Sequence, residues 1–427
     1  MDIPQALSLA SRHHQAGNFA QLEEDCRQIL EADPNRAEAH QLLGLAAHAT
    51  GRIDLCLEAL TKSAELDPNN ADYHTNLALV HRQLNRFDEA ATHLEAALRL
   101  KPDGPVTLYN FGNLRWQQGR LADAVELYRR TIQQQPAYRD AHYNLGNVLL
   151  AQEKFDEAAT GFRHALELRP EWPAASNNLG VALIRSGRDE EAVPHLQQAT
   201  RLQPDFAEAA ANLAITLHKL NRWDEAAAAS REAIRLQPDQ LVHHFNLGNC
   251  LLELSQSADA EACYRHVLAR NPGHVAARSK LGLALANQGR FDEAIDALRA
   301  ALTVQPHDPD IHNHLGFALR NAGQPEPATD CFRRAIELDP TCVKARNNLG
   351  VVLLDLGQND GAIAVLQEAI RVQADFVPAH NHLGQAYERL GRHADAVRHF
   401  TIALSLQPDN ADAQSNLARA KAAASTP

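Results

Sequence analysis

Asparagine recurs at intervals of 34 residues along most of this 427-residue chain. The residues in that register are Leu42, Asn76, Asn110, Asn144, Asn178, Asn212, Asn246, Lys280, His314, Asn348, His382 and Asn416. A second set lies three residues further on, at Asn113, Asn147 and Asn249. A primary amide both donates and accepts hydrogen bonds, and asparagine is a poor helix former. A run of carboxamides on one predicted helix face, where no packing role demands them, therefore indicates binding.

Other residue types offer less chemistry. The pairs His312/His314 and His380/His382 look like metal ligands, but residues two apart on a helix diverge by about 200°, so neither pair can chelate one ion. The sequence contains no HExxH, no GxSxG and no glycine-rich nucleotide loop. We therefore predict a protein without catalytic residues, metal site or cofactor.

The elements that would position the carboxamides follow the same period. Prolines stand at 34, 68, 102, 136, 170, 204, 238, 272, 306, 340 and 408, and the missing member of the series is Ala374. Ten residues after each proline comes Gly or Ala, nearly always preceded by Leu. Numbering each unit 1–34 with proline at position 32, units begin at residues 3, 37, 71, 105, 139, 173, 207, 241, 275, 309, 343 and 377. A fixed period of this length is typical of a solenoid of repeats.

Each unit reads as two helices. In residues 139–172, positions 4, 7, 8 and 11 of the first helix fall in one apolar arc. Gly or Asn at position 15 suits a left-handed C-terminal cap, Asp and Glu open the second helix, and proline ends it. One such unit cannot bury its own apolar face, so the units must stack.

This pattern resembles the tetratricopeptide repeat over essentially the whole chain. The resemblance implies an all-α solenoid, a right-handed superhelix of about twelve two-helix units with a C-terminal capping helix. The predicted divisions are a divergent first unit at 1–36, eleven units at 37–410, and a capping helix with tail at 411–427. Positions 2, 6, 9 and 13 of the first helix lie opposite the core arc, and in this family they line the concave groove.

The repeated Asn-Leu-Gly motif resembles the asparagine ladder in the tetratricopeptide arm of O-GlcNAc transferase, which implies binding of an extended peptide backbone. The residues carried over are Asn76, Asn110, Asn113, Asn144, Asn147, Asn178, Asn212, Asn246, Asn249, Lys280, His314, Asn348 and His382. At about 0.5–1.5 kcal/mol per hydrogen bond, against about 1–2 kcal/mol to order each peptide residue, binding should be weak and sequence-tolerant. An alternative to peptide binding stays open, in which the asparagines are an inherited consensus and binding occurs elsewhere. The break in the asparagine series after Asn246 marks either a more selective C-terminal half or drift.

The catalytic region of that family is absent from this sequence, which favours a non-enzymatic scaffold with protein or peptide partners. One alternative is a substrate-presenting subunit of a separately encoded glycosyltransferase; another is an assembly factor that uses the convex face. Co-chaperone repeats that grip acidic tails carry Lys at position 5, and here none does, so a heat-shock-chaperone adaptor is not expected.

Composition narrows the setting. Hydrophobic residues make up 45% of the chain, which excludes intrinsic disorder, and the net charge of −12 disfavours nucleic-acid binding. The sequence contains no apolar run of about 18 residues, so we predict no membrane span. The N-terminal residues do not have the pattern of a signal peptide. Six cysteines without zinc-like spacing, few Lys and abundant Arg and Ala favour a reduced, cytoplasmic and bacterial setting.

Overall fold

A computed structural model describes residues 2–424, and all the regular structure in that range is α-helical. The helices are α1 (Ile3–Gln15), α2 (Phe19–Ala32), α3 (Ala37–Ala49), α4 (Ile53–Leu66), α5 (Ala71–Gln83), α6 (Phe87–Leu100), α7 (Pro105–Gln117), α8 (Leu121–Gln134), α9 (Arg139–Ala151), α10 (Phe155–Leu168), α11 (Pro173–Arg185), α12 (Asp189–Leu202), α13 (Ala207–Lys219), α14 (Trp223–Leu236), α15 (Leu241–Glu253), α16 (Ser257–Arg270), α17 (Val275–Asn287), α18 (Phe291–Leu302), α19 (Pro309–Asn321), α20 (Pro325–Leu338), α21 (Val343–Asp355), α22 (Asn359–Val372), α23 (Val377–Arg389), α24 (His393–Leu406) and α25 (Ala411–Ala424).

The odd-numbered helices begin at the first residue of each predicted repeat, and α25 begins at the predicted capping segment. The predicted architecture of twelve two-helix units followed by one terminal helix is therefore confirmed. Position 15 adopts the left-handed conformation that the sequence predicts, at Gly119 with φ 73° and at Asn85 with φ 57°. Glycine and asparagine accept this conformation with little strain. Glu153 and Ser255 also adopt it at position 15, with φ 59° and 60°, so the first helix ends at the same place in these repeats too.

Within each repeat the two helices approach closely at position 8. A Cβ atom built on Gly146 would lie 2.7 Å from Cε1 of Phe162, whose side chain is fully buried. The same arrangement joins Gly112 to Tyr128 and Gly384 to Phe400. In other repeats a leucine takes the place of the ring, as Leu298 does opposite Gly282. Glycine recurs at this position because the side chain opposite occupies the space of a Cβ atom, and dispersion contacts at this range repay the lost helix propensity.

The chain divides into two compact units, residues 1–212 and 213–427. In residues 1–212, the N-terminal repeat has fully buried Leu22 and Ile29. This repeat, although divergent in sequence, therefore forms two helices with a core. The second has a continuous apolar cluster from Val275 to Ala420, in which α25 packs on α23 and α24.

Two further expectations bear on chemistry. All six cysteines are free thiols, as expected for a chain without a disulfide framework. Among the helices described, none combines the length and apolar character needed to cross a bilayer.

Candidate functional site

The predicted binding residues lie on the first helix of each repeat, and we call the face that carries positions 2, 6, 9 and 13 the ladder face. None of the residues predicted to bind peptide there is fully exposed. Asn110 and His314 are buried, with 8% and 9% of their surface exposed. Asn76, Asn113, Asn144, Asn147, Asn178, Asn212, Asn246, Asn249, Lys280, Asn348 and His382 are half-buried.

Position 6 is hydrogen-bonded to the preceding repeat. Nδ2 of Asn144 donates to the hydroxyl of Tyr109 at 3.0 Å and to Oδ1 of Asn113 at 2.9 Å. Nδ2 of Asn178 repeats both bonds, to Tyr143 at 3.2 Å and to Asn147 at 2.8 Å. The acceptors stand at positions 5 and 9 of the repeat before, so these amides join successive first helices.

The bond to position 5 recurs elsewhere with other residue types. Asn212 donates to Asn177, Asn348 to Asn313 and Asn416 to Asn381, each at 3.0 Å. Where histidine replaces asparagine the bond remains, because Nδ1 of His382 lies 2.7 Å from Oδ1 of Asn347 and Nδ1 of His314 lies 3.0 Å from Oγ of Ser279. The two histidines are therefore functional equivalents of asparagine in joining repeats.

The expectation that no packing role demands asparagine at position 6 is wrong for these repeats. A half-buried amide next to the neighbouring helix needs a partner, because an unpaired buried donor costs about 1–3 kcal/mol. Position 5 of the preceding repeat supplies that partner. A recurrence of polar residues at positions 5 and 6 together could have revealed the pairing.

Other residues at position 6 depart from this rule. Asn110 donates to a carbonyl of its own helix at 2.9 Å. Among the described residues, the side chains of Asn76, Asn246 and Lys280 have no hydrogen-bond partner. For the last two the reason is local, because position 5 of the repeat before is Ala or Phe, neither of which has a side-chain acceptor.

Within residues 213–427, Lys280, His314 and His382 replace asparagine at position 6 and change the electrostatics of the ladder face. Burial lowers the pKa of His314 to about 3, with help from the positive charges of Lys280 and Lys344. Burial lowers the pKa of His382 to about 4. Burial also lowers the pKa of Lys280, against the opposing effect of Asp310 and Glu253. At neutral pH both histidines are neutral, so Lys280 is the position-6 residue of this unit that carries charge.

Some ladder residues offer a carbonyl oxygen to a ligand, whereas Oδ1 of Asn178 accepts from Asn177 and Oδ1 of Asn249 accepts from Tyr264. Asn144 and Asn348 use Nδ2 within the chain, while Oδ1 of each makes no hydrogen bond to the described residues. Those oxygens are not among the buried atoms that lack a partner, so they reach solvent. The side chains can accept a hydrogen bond from a bound N–H group while their own N–H groups hold the repeats together.

Family models of the tetratricopeptide repeat match nearly the whole helical chain. The matched residues are 37–70, 71–137, 109–176, 146–197, 178–240, 245–309, 309–342, 331–364, 352–391 and 377–410. The chain belongs to the tetratricopeptide repeat family. No curated protein matches it at a significant level.

Several solved structures are similar to this tetratricopeptide repeat protein. A tetratricopeptide repeat protein from Parabacteroides merdae is 16% identical over 58% of this chain and 98% of that one, with a TM-score of 0.52, which supports the fold. Yeast Tom70 is 15% identical over 99% of this chain and 95% of that one, with a TM-score of 0.49. YrrB, described as a TPR protein with an unusual peptide-binding site, is 23% identical over 43% of this chain and 95% of that one, with a TM-score of 0.41.

Histidine at position 4 has a structural partner that the sequence did not indicate. Nε2 of His142 lies 2.9 Å from the carbonyl oxygen of Pro136, and an equivalent bond joins His380 to Ala374 at 2.9 Å. The imidazole N–H thus pairs with the carbonyl of the proline, or of Ala374, in the turn that follows the preceding helix. The same contact is made by His40, His74, His244 and His312.

Several arginines at position 16 pair with acids of the second helix. Arg188 lies 2.6 Å from Glu191, and Arg392 lies 2.7 Å from Asp395. Within residues 2–424 no three His, Cys, Asp or Glu side chains form a metal-binding group.

Proposed function

We propose that this tetratricopeptide repeat protein is a non-enzymatic, cytoplasmic interaction scaffold that binds an extended polypeptide along the ladder face. The residues proposed to contact the polypeptide are Asn76, Asn110, Asn113, Asn144, Asn147, Asn178, Asn212, Asn246, Asn249, Lys280, His314, Asn348 and His382. The observation that carries the proposal is the open carbonyl of Asn144, whose amide nitrogen is already held by Tyr109 and Asn113. An amide held on one side is preorganised for the other, which lowers the entropic cost of binding.

The bonding pattern alters the chemistry of the proposed contact. A free carboxamide would pair with both the N–H and the C=O of a peptide, whereas Asn144 has its N–H groups occupied and offers an acceptor. Backbone N–H groups of an extended chain are the donors that every sequence supplies. The contact is therefore independent of sequence, and side-chain preference must come from other residues on the same face.

A fourfold substitution tests the proposal. Full-length protein in which Asn110, Asn144, Asn178 and Asn212 are replaced by Ala is compared with wild type for binding to an array of random 12-residue peptides. Loss of several hydrogen bonds at about 0.5–1.5 kcal/mol each should weaken binding more than tenfold. Equal binding by the two proteins would show that these asparagines are not part of the peptide-binding site.

Because the asparagines also join repeats, the test needs a control that loosens the repeats without removing the carbonyls. The double substitution Tyr109→Phe and Tyr143→Phe removes one partner each of Asn144 and Asn178 and leaves both amides in place. We expect this variant to keep its peptide affinity when assayed below its unfolding temperature. If it loses affinity as far as the alanine variant does, the amides act through stability alone.

A second function keeps the same face but adds a partner. If the chain presents substrates to a separately encoded glycosyltransferase, as the predicted resemblance to the O-GlcNAc transferase arm suggests, a sugar-transfer activity should co-purify with it from its native cell. Co-purified activity that disappears with the fourfold variant would assign this role. If no sugar-transfer activity co-purifies, the glycosyltransferase role is excluded and the scaffold function remains.

A further inference from the structure

A cleft lies on the ladder face between α5 and α7, within residues 1–212. Arg82, Asn113, Trp116 and Gln117 line it, and its volume is about 330 Å³. Arg82 stands at position 12 of the third repeat, and the other three stand at positions 9, 12 and 13 of the fourth. Asn113 connects the cleft to the ladder, because it bonds Asn144.

The bonds of Asn113 determine which end of its amide faces the cleft. Oδ1 of Asn113 accepts from the hydroxyl of Tyr128 at 2.7 Å and from Nδ2 of Asn144 at 2.9 Å. Two donors occupy both lone pairs of a carbonyl oxygen. Nδ2 of Asn113 makes no hydrogen bond to any described residue, so the free end of this amide is a donor.

The guanidinium of Arg82 makes no ion pair and no side-chain hydrogen bond to any described residue. The equivalent arginine of the tenth repeat, Arg320, is paired with Asp355 at position 13 of the next repeat, at 2.6 Å. The residue equivalent to Asp355 beside Arg82 is Gln117. Arg82 and Gln117 thus stand at the repeat positions of Arg320 and Asp355, with an amide in place of the carboxylate.

The cleft therefore combines one full positive charge with several neutral donors. Arg82 presents a planar fork that suits a carboxylate, Asn113 and Gln117 have amide N–H groups, and Trp116 has an indole N–H and an apolar ring. Position 2 of α7 is Val106, and the acid at position 2 of α5 is distant, because Asp72 precedes Arg82 by ten residues, about 15 Å along the helix. That separation exceeds the Debye length of about 8 Å at physiological salt.

We infer that this cleft binds a carboxylate of the polypeptide held on the ladder face, supplied by an acidic side chain or by the chain terminus. The inference rests on the proposed function and adds a preference that the ladder lacks. A singly charged group matches the single charge of Arg82, whereas a phosphate of about −1.5 to −2 would leave charge unpaired. The ring of Trp116 gives the methylene groups of a Glu or Asp side chain an apolar wall.

Peptides that bind wild-type full-length protein on the random 12-residue array test the inference. Each acidic binder is made in four forms: unchanged, with every Glu and Asp replaced by Gln and Asn, with an amidated C-terminus, and with both changes. We expect removal of the relevant carboxylate to weaken binding about tenfold, the usual effect of losing one charge-assisted contact. The form that weakens tells whether the side chain or the terminus supplies the group.

Two variants of the protein should erase that difference. Arg82→Gln removes the charge, and Gln117→Asp supplies the internal carboxylate that Arg320 already has, so both should bind the acidic and the amide peptides equally. Arg86→Gln is the matched control, because Arg86 lies in the same repeat, is exposed, has no ion pair in the described chain and stands outside the cleft. It should keep the preference.

The outcomes separate the inference from the proposed function. Binding without a carboxylate preference, or a preference that survives both Arg82→Gln and Gln117→Asp, overturns the carboxylate site and leaves the ladder standing. A preference lost equally in Arg86→Gln would mean that overall charge, rather than the cleft, sets it, and would also overturn the site. If no peptide binds wild type, the proposed function fails and the carboxylate site fails with it.

Discussion

The side-chain nitrogen of Asn144 donates to the side-chain oxygen of Asn113, 2.9 Å away in the preceding repeat. This bond gives one asparagine two roles, because its nitrogen joins neighbouring helices and its oxygen stays open on the ladder face. It also orients Asn113, whose nitrogen is thereby left for the adjacent cleft. The stability of the repeat stack and the chemistry of its binding face are consequently carried by the same side chains.

The first prediction concerns the stability that these amides contribute. Asn144→Ala removes two hydrogen bonds to Tyr109 and Asn113 and should lower the free energy of unfolding by about 1–2 kcal/mol. Asn76→Ala is the control, since Asn76 has no hydrogen-bond partner in the described structure, and it should change stability by less than about 0.5 kcal/mol. Hydrogen exchange of α7 and α9 measures the local effect; equal losses in the two variants would contradict the prediction.

The second prediction concerns the close contact at position 8. Gly146→Ala would place a methyl group 2.7 Å from the ring of Phe162, and overpacking of this kind costs about 1–3 kcal/mol. That cost exceeds the gain in helix propensity of up to about 1 kcal/mol, so thermal unfolding should occur at a lower temperature.

Phe162→Leu, added to Gly146→Ala, should recover part of the loss. The third repeat already has this combination in Ala78 and Leu94, both of which are buried in one cluster. A double variant no more stable than Gly146→Ala alone would show that the ring is not the obstacle.

The third prediction concerns the position-4 histidines. His142→Ala removes the bond to the carbonyl of Pro136 and should cost about 1 kcal/mol, because the carbonyl of this turn residue loses its partner. His142→Gln should restore most of the stability, since Gln414 makes the equivalent bond to Pro408 at 2.8 Å. Urea unfolding of wild type, His142→Ala and His142→Gln measures the free energy of unfolding of each. If His142→Gln is as unstable as His142→Ala, the bond to Pro136 is not the cause of the loss.

The fourth prediction is a loss of stability in mild acid. Burial lowers the pKa of His93 and His399 to about 4, as it lowers the pKa of His314 and His382. The pKa of these histidines in the unfolded chain is about 6.5. Below that pH they are protonated in the unfolded chain, whereas in the folded chain they stay neutral until the pH approaches their lowered pKa. Stability should therefore fall as the pH decreases from about 6.5 to about 4.

Replacing His314 and His382 by Asn should flatten this dependence, because asparagine occupies the same position in most repeats and does not titrate. Melting temperatures at about pH 7.5 and about pH 5, on either side of the unfolded pKa, measure the effect in wild type and variant. A variant whose melting temperature falls between these pH values as far as that of wild type would show that the two histidines do not contribute.

Local features followed closely from the sequence. The helix starts at Arg139 and Val377, the left-handed turn at Gly119 and the buried contact of Gly146 all follow from the 34-residue period. Each depends on residues close together in one repeat, where backbone preference and side-chain volume suffice.

The partner of Asn144 could not be predicted in the same way. Tyr109 and Asn113 precede it by 35 and 31 residues, and periodicity tells which face a residue occupies but not which atom of a neighbouring helix lies within hydrogen-bond distance. The distance depends on how successive helices pack, and a small change in their rotation would turn the amide towards water. For this reason the sequence predicted a solvent-directed asparagine where the structure has a half-buried one.

The sequence by itself therefore determined the repeat length, the helices, their capping turns and the face on which the asparagines stand, because these depend on local backbone preferences and on the spacing of apolar residues. Tertiary structure decided that the nitrogen of Asn144 is used between repeats and its oxygen is not, and that Arg82 stands beside Gln117 without a compensating acid. Hydrogen bonds and ion pairs require atoms within about 3–4 Å, and only the packing of one helix on the next sets distances on that scale.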